Sequence, residues 1–196
     1  MISAILKEET KSLHTETEKR LNAKRIFSED FTVQEYVKIL QVLYIAHVLL
    51  EKQLENIRDP HLFRFYQEHY TPHTHLIKKD LENLHAFAKP KTPINTQEMN
   101  DMNALGILYV LKGSSMGAKY IHKQLQETAR RWPHFSGKFY QTSASQTIED
   151  WKNFCSSLET LSLTSENVNE VIEGARLAFK TFIDSSAVVF ENLQKS

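Results

Sequence analysis

Between Val33 and Asn56 the chain has neither Gly nor Pro, and Val37, Leu40, Val42, Leu43, Ile45, Leu49, Leu50 and Leu54 recur at helical spacing. Such a helix is apolar around most of its circumference, so it can only be satisfied at the centre of a bundle. Thr32-Val33-Gln34-Glu35 opens it as a capping box, in which the Thr hydroxyl and the Glu carboxylate each take an orphan backbone N–H. Asp59-Pro60 closes it.

The rest of the chain follows the same rule. Only 5 Gly and 5 Pro occur in 196 residues, and most of the Pro fall between periodic segments. Helices are expected over about Ile2 to Asn22, Val33 to Asn56, His61 to Tyr70, Pro72 to Ala88, Gln97 to Arg130, Thr147 to Leu161 and Glu166 to Leu193. Lys89-Pro90-Lys91-Thr92-Pro93 reads as a connection. No strand, repeat or low-complexity tract is visible. The expectation is an all-α chain folded as one domain over residues 1–196.

Charge and cysteine usage exclude several function classes. Lys plus Arg equals Asp plus Glu at 24 each, so no global field favours nucleic acid or an anionic membrane. The single cysteine, Cys155, rules out an intrachain disulfide framework and fits a reducing compartment; it reads as inert packing. No apolar run approaches the roughly 20 residues of a membrane span. Lys7, Glu8 and Glu9 interrupt any signal-peptide core. A cytoplasmic protein, monomeric or weakly dimeric, is expected.

Two helical faces carry the chemistry. On the first helix, Lys7, Lys11, His14 and Glu18 stand at i, i+4, i+7 and i+11, on one stripe, with Ile5, Leu6, Leu13, Thr17 and Leu21 directed to the core. Two cations, an imidazole and a carboxylate on one edge suit a flat dianionic ligand with a metal at its centre. On the long helix, Gly106, Gly113 and Gly117 stand at i, i+7 and i+11, with Ser114 and Ala118 extending the small patch. Three mid-helix glycines cost roughly 3 kcal/mol against alanine. Either two helices pack closely there, or the backbone approaches a flat ligand and bends. Spacing alone leaves both open.

The other histidines have plainer readings. His69, His73 and His75 flank Pro72, which interrupts helical i, i+4 geometry, and are expected in a solvated turn. His47 is expected as a satisfied core residue, and His85 and His122 as exposed helix positions.

The run Leu6-Lys7-Glu8-Glu9-Thr10-Lys11-Ser12-Leu13-His14-Thr15-Glu16-Thr17-Glu18 resembles the proximal-helix pattern of the heme oxygenase family, and Tyr109 to Ala118 is similar to that family's glycine-rich distal helix in its bacterial form. Weaker similarities follow at Trp151-Lys152 and from Ile172 to Phe179, so the resemblance covers nearly the whole chain. It implies a multi-helix bundle with heme b held between the N-terminal helix and a Gly-kinked distal helix. His14 would be the axial ligand to iron, and Glu18 would orient its imidazole. Lys7, Lys11 and Lys152 would meet the propionates. Phe179 would pack on the porphyrin, while Tyr109 would line its edge or simply pack. Gly113 and Gly117 would let the distal helix lie close over the ring.

The implied reaction is cleavage of heme, which is cofactor and substrate together, to biliverdin, carbon monoxide and ferrous iron. It consumes dioxygen and electrons from a separate ferredoxin or flavin reductase, because no flavin or nicotinamide fingerprint is present. There is one departure. Animal-type members carry an aspartate after the first distal glycine, where it holds the water that delivers protons; here the position is Ser114. Some bacterial members also lack it, so Ser114, Ser115 or backbone groups would order that water. Lys112 adds a cation beside it. A non-catalytic heme carrier or sensor on the same fold is the alternative. A bundle enzyme of the thiaminase-like group would bind no heme.

Overall fold

The structure is a computed structural model, and it describes residues 1–87, 99–129 and 132–190. Those residues are helical with no strand among them. In chain order the helices are α1 (Ile2–Arg20), α2 (Val33–Glu55), α3 (Pro60–His69), α4 (Thr74–Asn83), α5 (Asp101–Ser114), α6 (Ala118–Thr128), α7 (Lys138–Ala144), α8 (Ile148–Glu159) and α9 (Ser165–Phe190). Short 3-10 turns occupy Ala23–Phe27 and Ser115–Gly117.

Local chemistry explains most boundaries. Thr32 and Glu35 form the capping box at the start of α2, and Asn100/Asn103 and Thr147/Asp150 do the same for α5 and α8. Asp59 accepts from His61 N and Leu62 N with Pro60 at the first helical position, so Asp59-Pro60 starts α3 as well as ending α2. α4 begins at Thr74 rather than at Pro72, and stops at Asn83 rather than near Ala88. The connection around Lys89-Pro93 and the ends at Gln97, Arg130 and Leu193 lie outside the described residues.

α7 has no counterpart in the sequence reading. Gly137 precedes it at φ 60, and the carboxylate of Asp80 on α4 accepts from Lys138 N and Phe139 N at its start. Asp80 is 1 % exposed, so this tie is buried. It uses a residue 58 positions distant, which no local pattern announces.

The long helix expected over Gln97 to Arg130 is two helices, α5 and α6, joined through the Ser115–Gly117 turn. The Ser115–Gly117 turn replaces the regular i→i−4 ladder there with tighter 3-10 bonding.

α9 organises the bundle. α5 packs along it most extensively, α1 and α2 lie on its other flanks, and α1 and α5 pack little on each other. α2 is central, with Tyr36, Leu40, Val42, Ala46 and Leu54 completely buried. Contrary to the sequence expectation, α2 is long and apolar enough by length and composition to cross a membrane, with a mean hydropathy of 1.3. Half of that stretch is buried among the neighbouring helices, as a core helix requires.

α2 also carries a buried polar knot. Glu51 accepts from His47 Nδ1 at 2.9 Å, Tyr70 OH at 2.8 Å, His73 N at 2.7 Å and Thr74 N at 3.2 Å. His47 is the satisfied core residue expected. His73 is not in a solvated turn: it is 5 % exposed, its ring facing His47 and Phe139. The Glu51 carboxylate, accepting from its backbone N–H, holds this residue inward.

Burial, with the nearby His47, pushes the His73 imidazole down to about 4. Burial alone would raise Glu51, but its hydrogen bonds prevail and hold it at about 2. The folded state therefore excludes a proton that the unfolded chain binds below 6.5. Stability is full above that pH and falls as pH drops from 6.5 toward 4, by up to roughly 3 kcal/mol. Glu51 adds a further loss as pH falls from 4.5 toward 2. Urea melts across this range measure the slope, and His73→Gln flattens the upper part. An unchanged slope in that variant assigns the loss to another group.

Candidate functional site

α1 presents Lys7, Lys11, His14 and Glu18 along one exposed edge, as its helical register demands. Leu6 and Thr17 are buried beneath them, and Leu13 and Leu21 are half-buried. Ile5 is not a core residue; it is 41 % exposed, because Thr10 takes the inward position between Leu6 and Leu13 and bonds Leu6 O at 2.7 Å. The Lys7 and Lys11 ammonium groups make no ion pair among the described residues.

His14 keeps more than half of its side chain accessible. Its Nδ1 lies 3.9 Å from Glu18 Oε1, and its ring stands edge-on to Phe179 of α9 at 5.7 Å between centroids. Phe179 is buried, so it supports the imidazole from the core side. Arg176, one turn earlier on α9, binds Glu9 at 2.6 Å and ties the two helices on the same flank.

The glycines of the distal segment divide between the two readings. A Cβ on Gly106 would overlap Val171 O and Ala175 N of α9, and Gly174 of α9 presses equally on the backbone of Asn103. This pair is close helix packing. A Cβ on Gly117 would meet nothing within 4 Å, and Gly117 is exposed. Gly113 lies between these cases: a Cβ there would stand 3.4 Å from the Trp151 ring of α8.

Around this face, Tyr109 is buried against Trp151 at 5.4 Å, its hydroxyl donating to Ser3 O at 3.5 Å. Burial pushes that phenol up to about 12. Ser114 is exposed, and its hydroxyl donates to Leu111 O at 2.7 Å, within its own helix. Ser115 is buried, donates to Lys112 O at 2.7 Å and lies 3.0 Å from the Gln146 amide. Ser115 thus serves the junction before α8 and faces away from the exposed glycine. Lys112 is 8 % exposed, its pKa lowered by burial and opposed by Asp150.

Lys152 is exposed on α8 beside Trp151, and its side chain makes no hydrogen bond or ion pair among the described residues. Nothing draws it toward Lys7 or Lys11. Trp151 itself was visible only as a weak similarity, since the contact of its ring with Gly113 joins positions 38 apart.

Other candidates fall elsewhere. His69 packs between Phe65 and Phe154, where burial lowers its pKa. His75 is exposed. His85 is not a helix position: it follows α4 at φ 53 and stacks edge-on with His134 at 5.2 Å. His122 is half-buried, with its Nδ1 unpartnered among the described residues, and is not an exposed position either. Cys155 is half-buried with its thiol pKa raised by burial, so it lacks nucleophile activation. No group of three metal-ligating side chains occurs among the described residues.

Among the described residues the fold is all-helical, with an accessible histidine of α1 backed by Phe179 and exposed glycine backbone at the α5–α6 junction. The family of heme oxygenases matches residues 1–187, and the chain belongs to that family of heme-degrading enzymes. Its fold is similar to that of the NO- and CO-bound heme oxygenase from Neisseria meningitidis, at 22% identity over 97% of this chain and 92% of that one, with a TM-score of 0.69. It is likewise similar to heme oxygenase-1 from the cyanobacterium Synechocystis in complex with heme, at 16% identity over 99% and 94%, with a TM-score of 0.69. No curated protein sequence matches the chain.

Proposed function

We propose that the chain, acting as one unit, opens heme to biliverdin, with His14 as the axial ligand. The observation that carries this is His14 itself: an accessible imidazole, buttressed by Phe179, on the same edge as two lysines that make no ion pair among the described residues. These residues fit a heme. One ring nitrogen is free to ligate while the other faces Glu18, two ammonium groups match two propionates, and the open face at Gly117 admits a planar ring.

The heme supplies the iron at which dioxygen is activated. The residues of this chain bind, orient and shield. Lys7 and Lys11 neutralise the propionates, and Lys152 joins them by rotating its free side chain. Glu18 closes on His14 Nδ1 and holds the tautomer. Gly113 and Gly117 keep the distal wall thin, with Tyr109 packed behind it against Trp151. Ser114, its proton committed to Leu111 O, keeps oxygen lone pairs that would accept from a water when heme is bound. Electrons come from a separate ferredoxin or flavin reductase, and the cytoplasm is the compartment in which such partners meet this chain.

The experiment is direct. Purified protein is mixed with hemin, a reductant is added under oxygen, and the Soret band is followed. The expected result is loss of that band with growth of biliverdin absorbance and release of carbon monoxide. Bound heme that survives repeated reduction under oxygen would instead identify a heme carrier.

A further inference from the structure

α8 touches both walls of this site. Near its start, Trp151 lies against Gly113 and Tyr109 of the distal helix. At its last residue, Glu159 reaches the first turn of α1: Oε2 accepts from Ile2 N at 2.8 Å, and Oε1 accepts from Ser3 N at 3.0 Å and from Ser3 Oγ at 2.7 Å. Tyr109 closes the circuit through Ser3 O. Helix α1 has no side-chain cap of its own, since Met1 stands at its N-cap. Its orphan N–H groups and the positive end of its dipole are met by a carboxylate 157 residues away.

α1 is one uninterrupted helix of 19 residues, and His14 stands eleven residues beyond Ser3, about 16 Å along the axis. A slide or tilt at the first turn is carried to His14. We propose that Glu159 is a positioning residue: its carboxylate sets the register of α1 against the distal helix, and so the gap between His14 and Gly117. This rests on the reading of His14 as the axial ligand.

The test compares wild type with Glu159→Gln, Glu159→Asp and Ser3→Ala. Glu35→Gln serves as comparator, since the bonds it loosens, to Arg25 and at the cap of α2, include none to a side chain of α1, α5 or α8. Two readouts are taken: the hemin dissociation constant with the electron-paramagnetic signature of the axial histidine, and, without heme, the pulsed-EPR distance between spin labels at Glu8→Cys and Lys123→Cys in a Cys155→Ser background.

Glu159→Gln is expected to weaken hemin binding about tenfold, equivalent to about 1.4 kcal/mol. It is also expected to shift the histidine signature and to broaden the label distance. Glu159→Asp, which keeps the charge, recovers part of the loss, and Ser3→Ala shows a smaller effect of the same sign. Glu35→Gln lowers the melting temperature only. If Glu159→Gln merely melts earlier, with label distance and hemin affinity unchanged, the positioning role is overturned. If Glu159→Gln fails to fold, Ser3→Ala decides by the same distances. Wild type that binds no hemin overturns the axial role of His14 and this proposal together, whereas wild type that binds through His14 beside unaffected variants overturns the positioning alone.

Discussion

His14→Ala is expected to abolish the axial-histidine spectrum of the hemin complex and to lower turnover by about 100-fold or more, equivalent to about 2.7 kcal/mol or more of barrier. The same substitution should leave the fold intact. More than half of the His14 side chain is accessible, and its ring stands edge-on to Phe179. Its removal therefore costs stability on the order of 0.5 kcal/mol. A large spectroscopic loss with little change in melting separates a ligand from a structural histidine. Residual hemin affinity should persist through Lys7 and Lys11, and added imidazole should restore the spectrum. An unchanged spectrum in His14→Ala removes the central residue of the proposed mechanism.

The second large effect separates two glycines of the same helical segment. Gly106→Ala drives a Cβ into Val171 O and Ala175 N, backbone atoms of α9 that cannot turn aside. The expected cost is roughly 3 kcal/mol or more, at the upper end of overpacking. That lowers the melting temperature by about 10 °C in a chain of this size. Gly117→Ala meets nothing, and its φ of −83° suits any residue, so it should raise stability by up to about 1 kcal/mol by narrowing the unfolded ensemble. Yet the added methyl stands on the face proposed to cover the heme, so hemin affinity and turnover should fall. Thermal melts and hemin titrations on both variants check this. A Gly117→Ala protein that binds and degrades heme like wild type would show that the ring lies elsewhere.

Much of the fold could be read along the chain because its causes are local. The helical period of α2, the Thr32–Glu35 box and the stop at Asp59 involve residues within a turn or two of one another, and all three appear as expected. The stripe Lys7, Lys11, His14 and Glu18 needed only the geometry of one helix. What escaped depended on distant partners. α7 starts where Asp80 receives Lys138 N and Phe139 N, and His73 turned out buried because Glu51 binds its backbone N–H. The three glycines share one spacing pattern but not one cause, and no periodicity could assign Gly106 to α9 and Gly117 to open space.

The amino-acid sequence by itself determined most of the helices, though not α7 or the break between α5 and α6, together with the charged edge of α1 and the family pattern that names heme. A helix is specified by neighbours three and four residues apart, so its faces are written in the order of residues. Only the tertiary structure decided that Phe179 supports His14, that Trp151 stands behind Gly113, and that Glu159 of α8 holds the first turn of α1. The first joins α1 to α9, which pack along each other, and the other two join α8 to α5 and to α1. Packing of that kind depends on the shapes of all the partners at once, and so it is not written in any one segment.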